Sequence, residues 1–117
     1  MNITAITGIF SVSAQIQSSD VEHIAEQGFK SILCVRPEDE PGSVGIDEIK
    51  QAASEHGMAF HYLPVVMTGI KDSQVDEFAA LMAGIETPVL AYCRSGNRAS
   101  KLFQAWQNKG GKKAYVC

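Results

Sequence analysis

Residues 89–100 read Val89-Leu90-Ala91-Tyr92-Cys93-Arg94-Ser95-Gly96-Asn97-Arg98-Ala99-Ser100. An apolar strand runs into a cysteine, a short glycine-containing loop follows, and an arginine stands where a helix begins. The amides of such a loop and the unpaired amides of the first helical turn point inward, which suits a tetrahedral oxyanion and also favours a thiolate. The stretch therefore predicts a thiolate nucleophile set in an anion-binding loop on an α/β fold.

The residues of this stretch have distinct predicted roles. Cys93 is the candidate nucleophile, and the planar guanidinium of Arg98 can hold two oxygens of one anion. The rest of the predicted anion-binding loop is Arg94, Ser95, Gly96, Asn97, Ala99 and Ser100. The competing interpretation is a buried strand cysteine followed by an ordinary polar turn, since buried cysteines are usually inert.

The composition indicates one ordinary globular domain over residues 1–117, with 45% hydrophobic and 20% charged residues. A net charge of -3 predicts no nucleic-acid partner. The cysteines Cys34, Cys93 and Cys117 form no Cys-x-x-Cys pair, so we expect no disulfide framework, no metal and no cofactor. No apolar stretch approaches membrane-spanning length, and we expect a cytoplasmic location. The oligomeric state is left open.

Strand and helix patterns alternate along the chain. Helices are predicted from a capping box at Ser19–Glu22 to Gly28, over 46–56, from Asp72 or Ser73 to Gly84, and over 98–108 with Phe103 and Trp106 in the core. Strands are predicted at 3–6, 10–13, 29–35, 58–64, 89–92 and 114–116. This order predicts an α/β fold, a mainly parallel sheet with helices on both faces.

Ligands of such sheets bind outside the carboxyl ends of the strands. Here those ends deliver Arg36, the loop 64–72 and Cys93, so we expect them to meet at one site. Arg36 is predicted either to contact the substrate or the anion loop, or to be a surface residue paired with Glu38 or Asp39. Cys34, amid apolar residues, is predicted to be buried and unreactive.

The loop length separates two kinds of thiolate enzyme. Cysteine-dependent phosphatases typically have five residues between Cys and Arg, whereas rhodanese-like sulfurtransferases typically have four. The sequence Cys93-x-x-Gly96-x-Arg98 has four. Ala99 follows the arginine where phosphatases carry a hydroxyl residue, yet Ser100 has the phosphatase spacing when counted from the cysteine. The loop is a shortened hybrid of the two patterns.

Over nearly its whole length the chain resembles the bacterial phosphatase-like domains of beta-lactamase-hydrolase-like proteins. The segments that carry the resemblance are residues 10–16, 26–30, 36–40, 63–65 and, most specifically, the loop 93–98. The resemblance implies a tyrosine-phosphatase-like or dual-specificity-phosphatase-like fold, with Cys93 as nucleophile and Arg98 as the oxyanion-binding arginine. It also implies a small anionic or phosphorylated substrate. Related domains are described as sulfur transferases, so the reaction stays open.

A phosphatase also needs an acid for the leaving group. Asp72 is the only carboxylate of the loop that usually supplies it, although Asp72 is also well placed to be a helix N-cap, and Glu38 and Asp39 are reserve candidates. Tyr92 stands where tyrosine phosphatases commonly have histidine. Both departures favour sulfur transfer through a Cys93 persulfide. Phosphate-monoester hydrolysis is the leading hypothesis, sulfur transfer the alternative, and an inactive module that binds anions or phosphopeptides the third.

Overall fold

A computed structural model describes residues 2–111, and its centre is a sheet of five strands. The strands are β1 (Ile3–Thr7), β2 (Phe10–Ser13), β3 (Ser31–Cys34), β4 (Ala59–Tyr62) and β5 (Val89–Tyr92), in the order β1-β2-β5-β3-β4. Strand β1 pairs antiparallel with β2, and every other pair is parallel. The prediction of a mainly parallel α/β sheet is confirmed.

Within residues 2–111, four α-helices cover the sheet: α1 (Val21–Glu26), α2 (Ile46–Glu55), α3 (Asp72–Met82) and α4 (Asn97–Trp106). Helices α1 and α2 share one buried cluster with the sheet, and α3 and α4 share the other. The predicted helices on both faces are therefore present. A π-helical turn at Gln107–Gly111 continues α4. In the part of the chain that the structure describes, no helix is both long and apolar enough to cross a bilayer.

Strand β5 runs through the middle of the sheet and is buried on both faces. Its side chains alternate, with Val89 and Ala91 in the α3–α4 cluster and Leu90 and Tyr92 in the α1–α2 cluster. This alternation is the ordinary period of a strand. It continues one residue further and turns Cys93 toward α3 and α4.

An aromatic cluster fixes α4 against the sheet. The rings of Phe10 and Phe103 are stacked with centroids 4.4 Å apart, and Phe78 meets Trp106 edge-on at 5.4 Å. Phe103 and Trp106 are thus core residues, as predicted. Since aromatic pairs add stabilisation beyond the burial of their area, the cluster holds α4 with its N-terminus at the end of β5.

Two predicted helix starts differ in detail from the structure. The first helical segment begins with a 3₁₀ turn at Ser18–Asp20, where Asp20 accepts a hydrogen bond from the amide of Gln17 at 2.8 Å; the predicted box at Ser19–Glu22 is wrong by two residues. Helix α3 is capped at Lys71, whose amide donates to Gln74 at 2.8 Å, so Asp72 is its first residue and not its N-cap. The predicted strand 114–116 lies outside the described residues.

Candidate active site

The turn between β5 and α4 depends on Gly96. This residue is the N-cap of α4 and has φ of 92°, in the left-handed region that glycine adopts without strain. A Cβ there would also lie 3.3 Å from the carbonyl oxygen of Ser13. Position 96 therefore favours glycine for two reasons: its backbone conformation and its close approach to the end of β2.

This turn encloses the Cys93 sulfur. The amide of Gly96 donates a hydrogen bond to Cys93 Sγ at 3.1 Å, and the cysteine has 0% of its surface exposed. The first-turn amides of α4 lie just beyond, and amides in this position have no intrahelical acceptor. The arrangement places backbone N–H groups of the turn and of the helix start around the sulfur.

Arg98 lies in the first turn of α4 and is buried, with 8% of its surface exposed. Its Nη1 donates to Glu40 Oε2 at 2.6 Å and to the Val65 carbonyl at 2.8 Å, and its Nη2 donates to Glu40 Oε1 at 2.9 Å. These bonds use three of the five N–H donors of a guanidinium. The Nε–H and one Nη2–H remain on the other edge, which has the geometry to bind two oxygens of an anion.

Glu40 is a site residue that sequence reasoning missed. Its carboxylate bridges both Arg98 and Arg36, with an Arg36 Nε distance of 2.9 Å to Oε1. The bond from Arg98, together with that from Arg36, lowers the pKa of the Glu40 carboxyl below its usual range, and burial opposes this only in part. In return, Glu40 raises the pKa of Arg98, with a smaller contribution from nearby Cys93. Glu40 thus holds the Arg98 guanidinium in one orientation.

Arg36 lies behind Arg98 and is also buried, at 5% exposure. It pairs with Glu40, and not with Glu38 or Asp39 as one interpretation expected. Its other nitrogens donate to Gln15 Oε1 and to the carbonyls of Pro41 and Gly42. The other interpretation predicted that Arg36 contacts the substrate or the anion loop. In the structure Arg36 is connected to Arg98 through Glu40, which binds both arginines.

A cleft of about 310 Å³ opens in front of the loop. Arg98 borders it together with the exposed side chains of Arg94, Ser95 and Asn97 from the predicted anion loop and Lys101 from the next turn of α4. The opposite wall comes from residues 66–70. The structure brings the three predicted strand ends together: the loops after β4 and β5 form this cleft, and Arg36 and Glu40 of the loop after β3 line an adjoining cleft with Met67 and Arg94. The volume of the first cleft suits a small molecule.

Two predicted loop residues face away from this cleft. Ala99 has 0% exposure and packs in the α3–α4 cluster. Ser100 donates its hydroxyl hydrogen to the Gly96 carbonyl at 3.0 Å, so the hydroxyl stabilises the turn from behind. Among the predicted loop residues, Ser100 and Ala99 therefore shape the anion loop and do not border the cleft.

The candidate acids lie elsewhere. Asp72 is 91% exposed and forms an ion pair with Lys109 at 3.3 Å. Glu38 accepts a hydrogen bond from the amide of Ile46 at 2.9 Å and so satisfies the start of α2, while Asp39 is exposed. None of the three borders the cleft, and of the residues that the structure describes no Asp or Glu does.

Tyr92, the residue before the nucleophile, points to the opposite face of the sheet. It is 1% exposed within the α1–α2 cluster and lies opposite Cys34 on β3. Burial raises the pKa of the Tyr92 phenol and of the Cys34 thiol. Cys34 is buried as predicted, and Tyr92 supports the sheet beneath the loop without reaching the cleft.

The sheet order and the placement of the helices give an α/β fold of the tyrosine-phosphatase and dual-specificity-phosphatase type. The fold is shared with kinase-associated phosphatase, at a TM-score of 0.60 and 15% identity over 74% of this chain and 57% of that one. The chain belongs to the family described as beta-lactamase hydrolase-like protein, phosphatase-like domain, whose model matches residues 2–109.

Two other proteins are more similar to this chain in sequence. A beta-lactamase hydrolase-like protein of Agrobacterium fabrum is 35% identical over 104 residues, which is 88% of this chain and 24% of that protein. A solved structure of a candidate phosphatase from Neisseria meningitidis is 37% identical, with a TM-score of 0.80 over 88% of this chain and 74% of that one. The chain spans about a quarter of the length of the curated relatives that it matches.

Proposed function

We propose that this domain is a cysteine-dependent phosphatase that cleaves phosphate monoesters. Cys93 Sγ attacks phosphorus as a thiolate, the bond from phosphorus to the leaving oxygen breaks, and a phosphocysteine forms. Water then attacks the phosphorus, the S–P bond breaks, and dihydrogen phosphate leaves while the thiolate is restored. The open edge of Arg98 and the first-turn amides of α4 hold the equatorial oxygens.

The observation that carries the proposal is that a backbone amide and a buried arginine both lie at the Cys93 sulfur. The Gly96 amide donates to Cys93 Sγ, and Arg98, oriented by Glu40, has donors left for an anion beside it. Because Cys93 has no exposed surface and does not itself border the cleft, a substrate reaches the sulfur only after the surrounding residues move. Family membership and the likeness to the Neisseria candidate phosphatase support the same reaction.

Sulfur transfer is the second candidate, and the geometry of the loop favours it. The loop has four residues between Cys93 and Arg98, and no carboxylate of the described residues borders the cleft. A Cys93 persulfide would form when the thiolate attacks the sulfane sulfur of thiosulfate, the S–S bond of the donor breaks and sulfite leaves. An acceptor thiolate would then attack the outer sulfur, the bond to Cys93 Sγ would break, and the Cys93 thiolate would be restored. Neither step needs a proton donor for an oxygen leaving group.

One assay separates the candidates. Wild type, Cys93→Ser and Cys34→Ser are each given an aryl phosphate, and separately thiosulfate with a thiol acceptor. Cys34→Ser is the matched control, because it makes the same change in a buried cysteine of the neighbouring strand. We expect Cys93→Ser to lose phosphate release by about 10³-fold or more, the range seen when a nucleophile is removed, and Cys34→Ser to retain it.

The outcomes are distinct. Turnover that persists in Cys93→Ser would reject Cys93 as the nucleophile. Sulfur transfer that depends on Cys93 and greatly exceeds phosphate release would replace the leading reaction by the second. Binding of inorganic phosphate without turnover of either substrate would identify an inactive anion-binding module.

A further inference from the structure

We propose that the cleft selects anhydrides of phosphate, in which the phosphoryl group is joined to a second phosphate or to a carboxylate, over simple esters. The inference rests on the proposed function and names its substrate class. Its basis is a cleft that offers cations where the leaving group lies and is lined by no carboxylic acid of the described residues. Such a cleft serves leaving groups that depart as anions and need no proton.

The first observation is the chemistry of the cleft wall. Its polar lining consists of Thr68, Ser95 and Asn97 and three cations, without a carboxylate from residues 2–111. Glu40 contacts Arg98 beside the cleft, but the bonds from Arg98 and Arg36 lower the pKa of its carboxyl, so it is a poor proton donor. Asp72 forms an ion pair with Lys109. A hydroxyl or an amide is too weak an acid at neutral pH to protonate a departing alkoxide, a step that a carboxylic acid accelerates by about 10²- to 10⁴-fold.

The second observation is the placement of Arg94 and Lys101. Both are exposed and border the cleft, and neither forms an ion pair with a residue that the structure describes. Arg98, in contrast, is shared with Glu40 at the inner end. Positions 98 and 101 are neighbours on a helix face, with about 5–6 Å between Cβ atoms in that spacing.

Arg98 on one side, and Arg94 and Lys101 on the other, would therefore contact different parts of a substrate. Arg98 lies beside Cys93 and holds the phosphoryl group that is attacked, while Arg94 and Lys101 lie further out, where the leaving group departs. In a chain with a net charge of -3, unpaired cations in one cleft form a local site for anions. Cations aimed at the developing charge on a leaving oxygen stabilise the transition state.

The reaction is balanced without a proton donor. Cys93 Sγ forms a bond to phosphorus, the bond from phosphorus to the bridging oxygen breaks, and its electron pair stays on that oxygen. The leaving group departs as phosphate or carboxylate, already stable as an anion at neutral pH. Water then releases dihydrogen phosphate from the phosphocysteine and restores the thiolate, as for an ester.

A leaving-group series tests the missing acid. Wild type is assayed with phenyl phosphate, 4-nitrophenyl phosphate, acetyl phosphate and inorganic pyrophosphate, and the rate of Cys93→Ser is subtracted for each substrate. We expect kcat/KM for phenyl phosphate to fall below that for 4-nitrophenyl phosphate by about 100-fold, the contribution an acid would otherwise make. We expect at least one anhydride to exceed phenyl phosphate by a similar factor.

Variants of the rim test the cations. Lys101→Met and Arg94→Gln are compared with Lys50→Met, an exposed lysine on α2 away from the cleft. We expect each rim variant to lower the ratio of kcat/KM for the preferred anhydride to that for 4-nitrophenyl phosphate by about tenfold, a change typical of a lost electrostatic contact. Lys50→Met should leave this ratio as it is in wild type.

The results also distinguish a phosphate from a carboxylate leaving group, and a failure of the anhydride preference from a failure of the proposed phosphatase function. Preference for pyrophosphate or for acetyl phosphate identifies a second phosphate or a carboxylate as the leaving group. Similar rates for phenyl and 4-nitrophenyl phosphate, no anhydride above phenyl phosphate, or an unchanged ratio in the rim variants would overturn the inference while leaving the phosphatase in place. Loss of all Cys93-dependent phosphate release would instead overturn the proposed function.

Discussion

Arg36 and Arg98 are both buried arginines that follow neighbouring strands of the sheet, and both bind Glu40. They differ in what the rest of each guanidinium contacts. Arg36 is enclosed by Gln15 and the carbonyls of its own loop, so its donors are used inside the protein. Arg98 donates to the Val65 carbonyl besides Glu40, and its remaining donors lie on the edge beside Cys93 and the cleft.

The difference indicates that Arg36 has a structural role and Arg98 an anion-binding role. A buried charge must be paired, since removing one partner of a buried pair leaves an uncompensated charge. Arg36 satisfies Glu40 from behind and folds the loop after β3, which lets Glu40 orient Arg98 without taking all of its donors. On this view, changes at Arg36 act mainly on stability and changes at Arg98 act mainly on chemistry.

Among the residues of this arginine network, the largest effect is expected for Arg98→Lys. An ammonium is a point charge and cannot bind Glu40, Val65 and two oxygens of an anion with the geometry of a planar guanidinium. We predict that Cys93-dependent turnover of 4-nitrophenyl phosphate falls by about 10²- to 10³-fold, comparable to the loss of an oxyanion-binding group. The measurement is kcat/KM, accompanied by thermal unfolding. A variant with near-wild-type kcat/KM would remove Arg98 from the anion site.

Arg36→Met tests the other half of the comparison. The variant removes the donors to Gln15 and to the loop carbonyls and leaves Glu40 with Arg98 alone. We predict a loss of about 2–3 kcal/mol in the free energy of unfolding, somewhat below the usual cost of breaking a buried pair because Glu40 keeps one partner. Urea unfolding measures it. If stability is unchanged but turnover falls as far as in Arg98→Lys, Arg36 contacts the substrate directly.

Glu40→Gln removes the charge that the two arginines share. We predict a loss of about 1–3 kcal/mol in the free energy of unfolding at neutral pH, the usual range for charge-assisted hydrogen bonds. We also predict a fall in kcat/KM of about tenfold, smaller than for Arg98→Lys, because Arg98 keeps its own charge. An increase in kcat/KM would show that Glu40 competes with the substrate for Arg98.

The stability difference between wild type and Glu40→Gln should also depend on pH. The folded pKa of Glu40 lies below its unfolded value, so the carboxylate contributes its full stabilisation above the unfolded pKa of about 4.3. That contribution is lost as the pH falls through the folded pKa. Urea unfolding from pH 7 to pH 3 should show the two proteins converging at the acid end, and a constant difference would contradict the ion pair.

The turn after β5, which carries Arg98, and the loop after β3, which carries Arg36 and Glu40, also differ in how well the sequence predicts them. The β5–α4 turn was predictable because its chemistry is local: an apolar run, a cysteine, a glycine in a left-handed turn and a helix start follow one another. Glu40 was not, since its partner Arg98 is distant in sequence and only the parallel pairing of β3 with β5 brings their loops together. The spacing of Arg36 and Glu40 outside a helix gave no signal.

Asp72 is the opposite case. Its position in the loop after β4 predicts a catalytic acid, but in the structure its side chain is paired with Lys109. The loop after β4 does border the cleft, but with residues 66–70, and the chain has already turned outward into α3 when it reaches Asp72. A local pattern identifies which residues share a loop. It does not determine which side of that loop faces the substrate.

Asp72→Asn should therefore have the smallest effect. Unlike Glu40, the Asp72 carboxylate is exposed and outside the arginine network, and its ion pair with Lys109 is of the surface kind worth about 0–1 kcal/mol. We predict that kcat/KM for 4-nitrophenyl and phenyl phosphate changes by less than about twofold, because no proton transfer is lost. Phenyl phosphate is the sharper probe, since its basic leaving group depends most on an acid. A loss of more than about tenfold confined to phenyl phosphate would mean that Asp72 reaches the cleft during turnover, and that the acid is supplied by movement of the loop before α3.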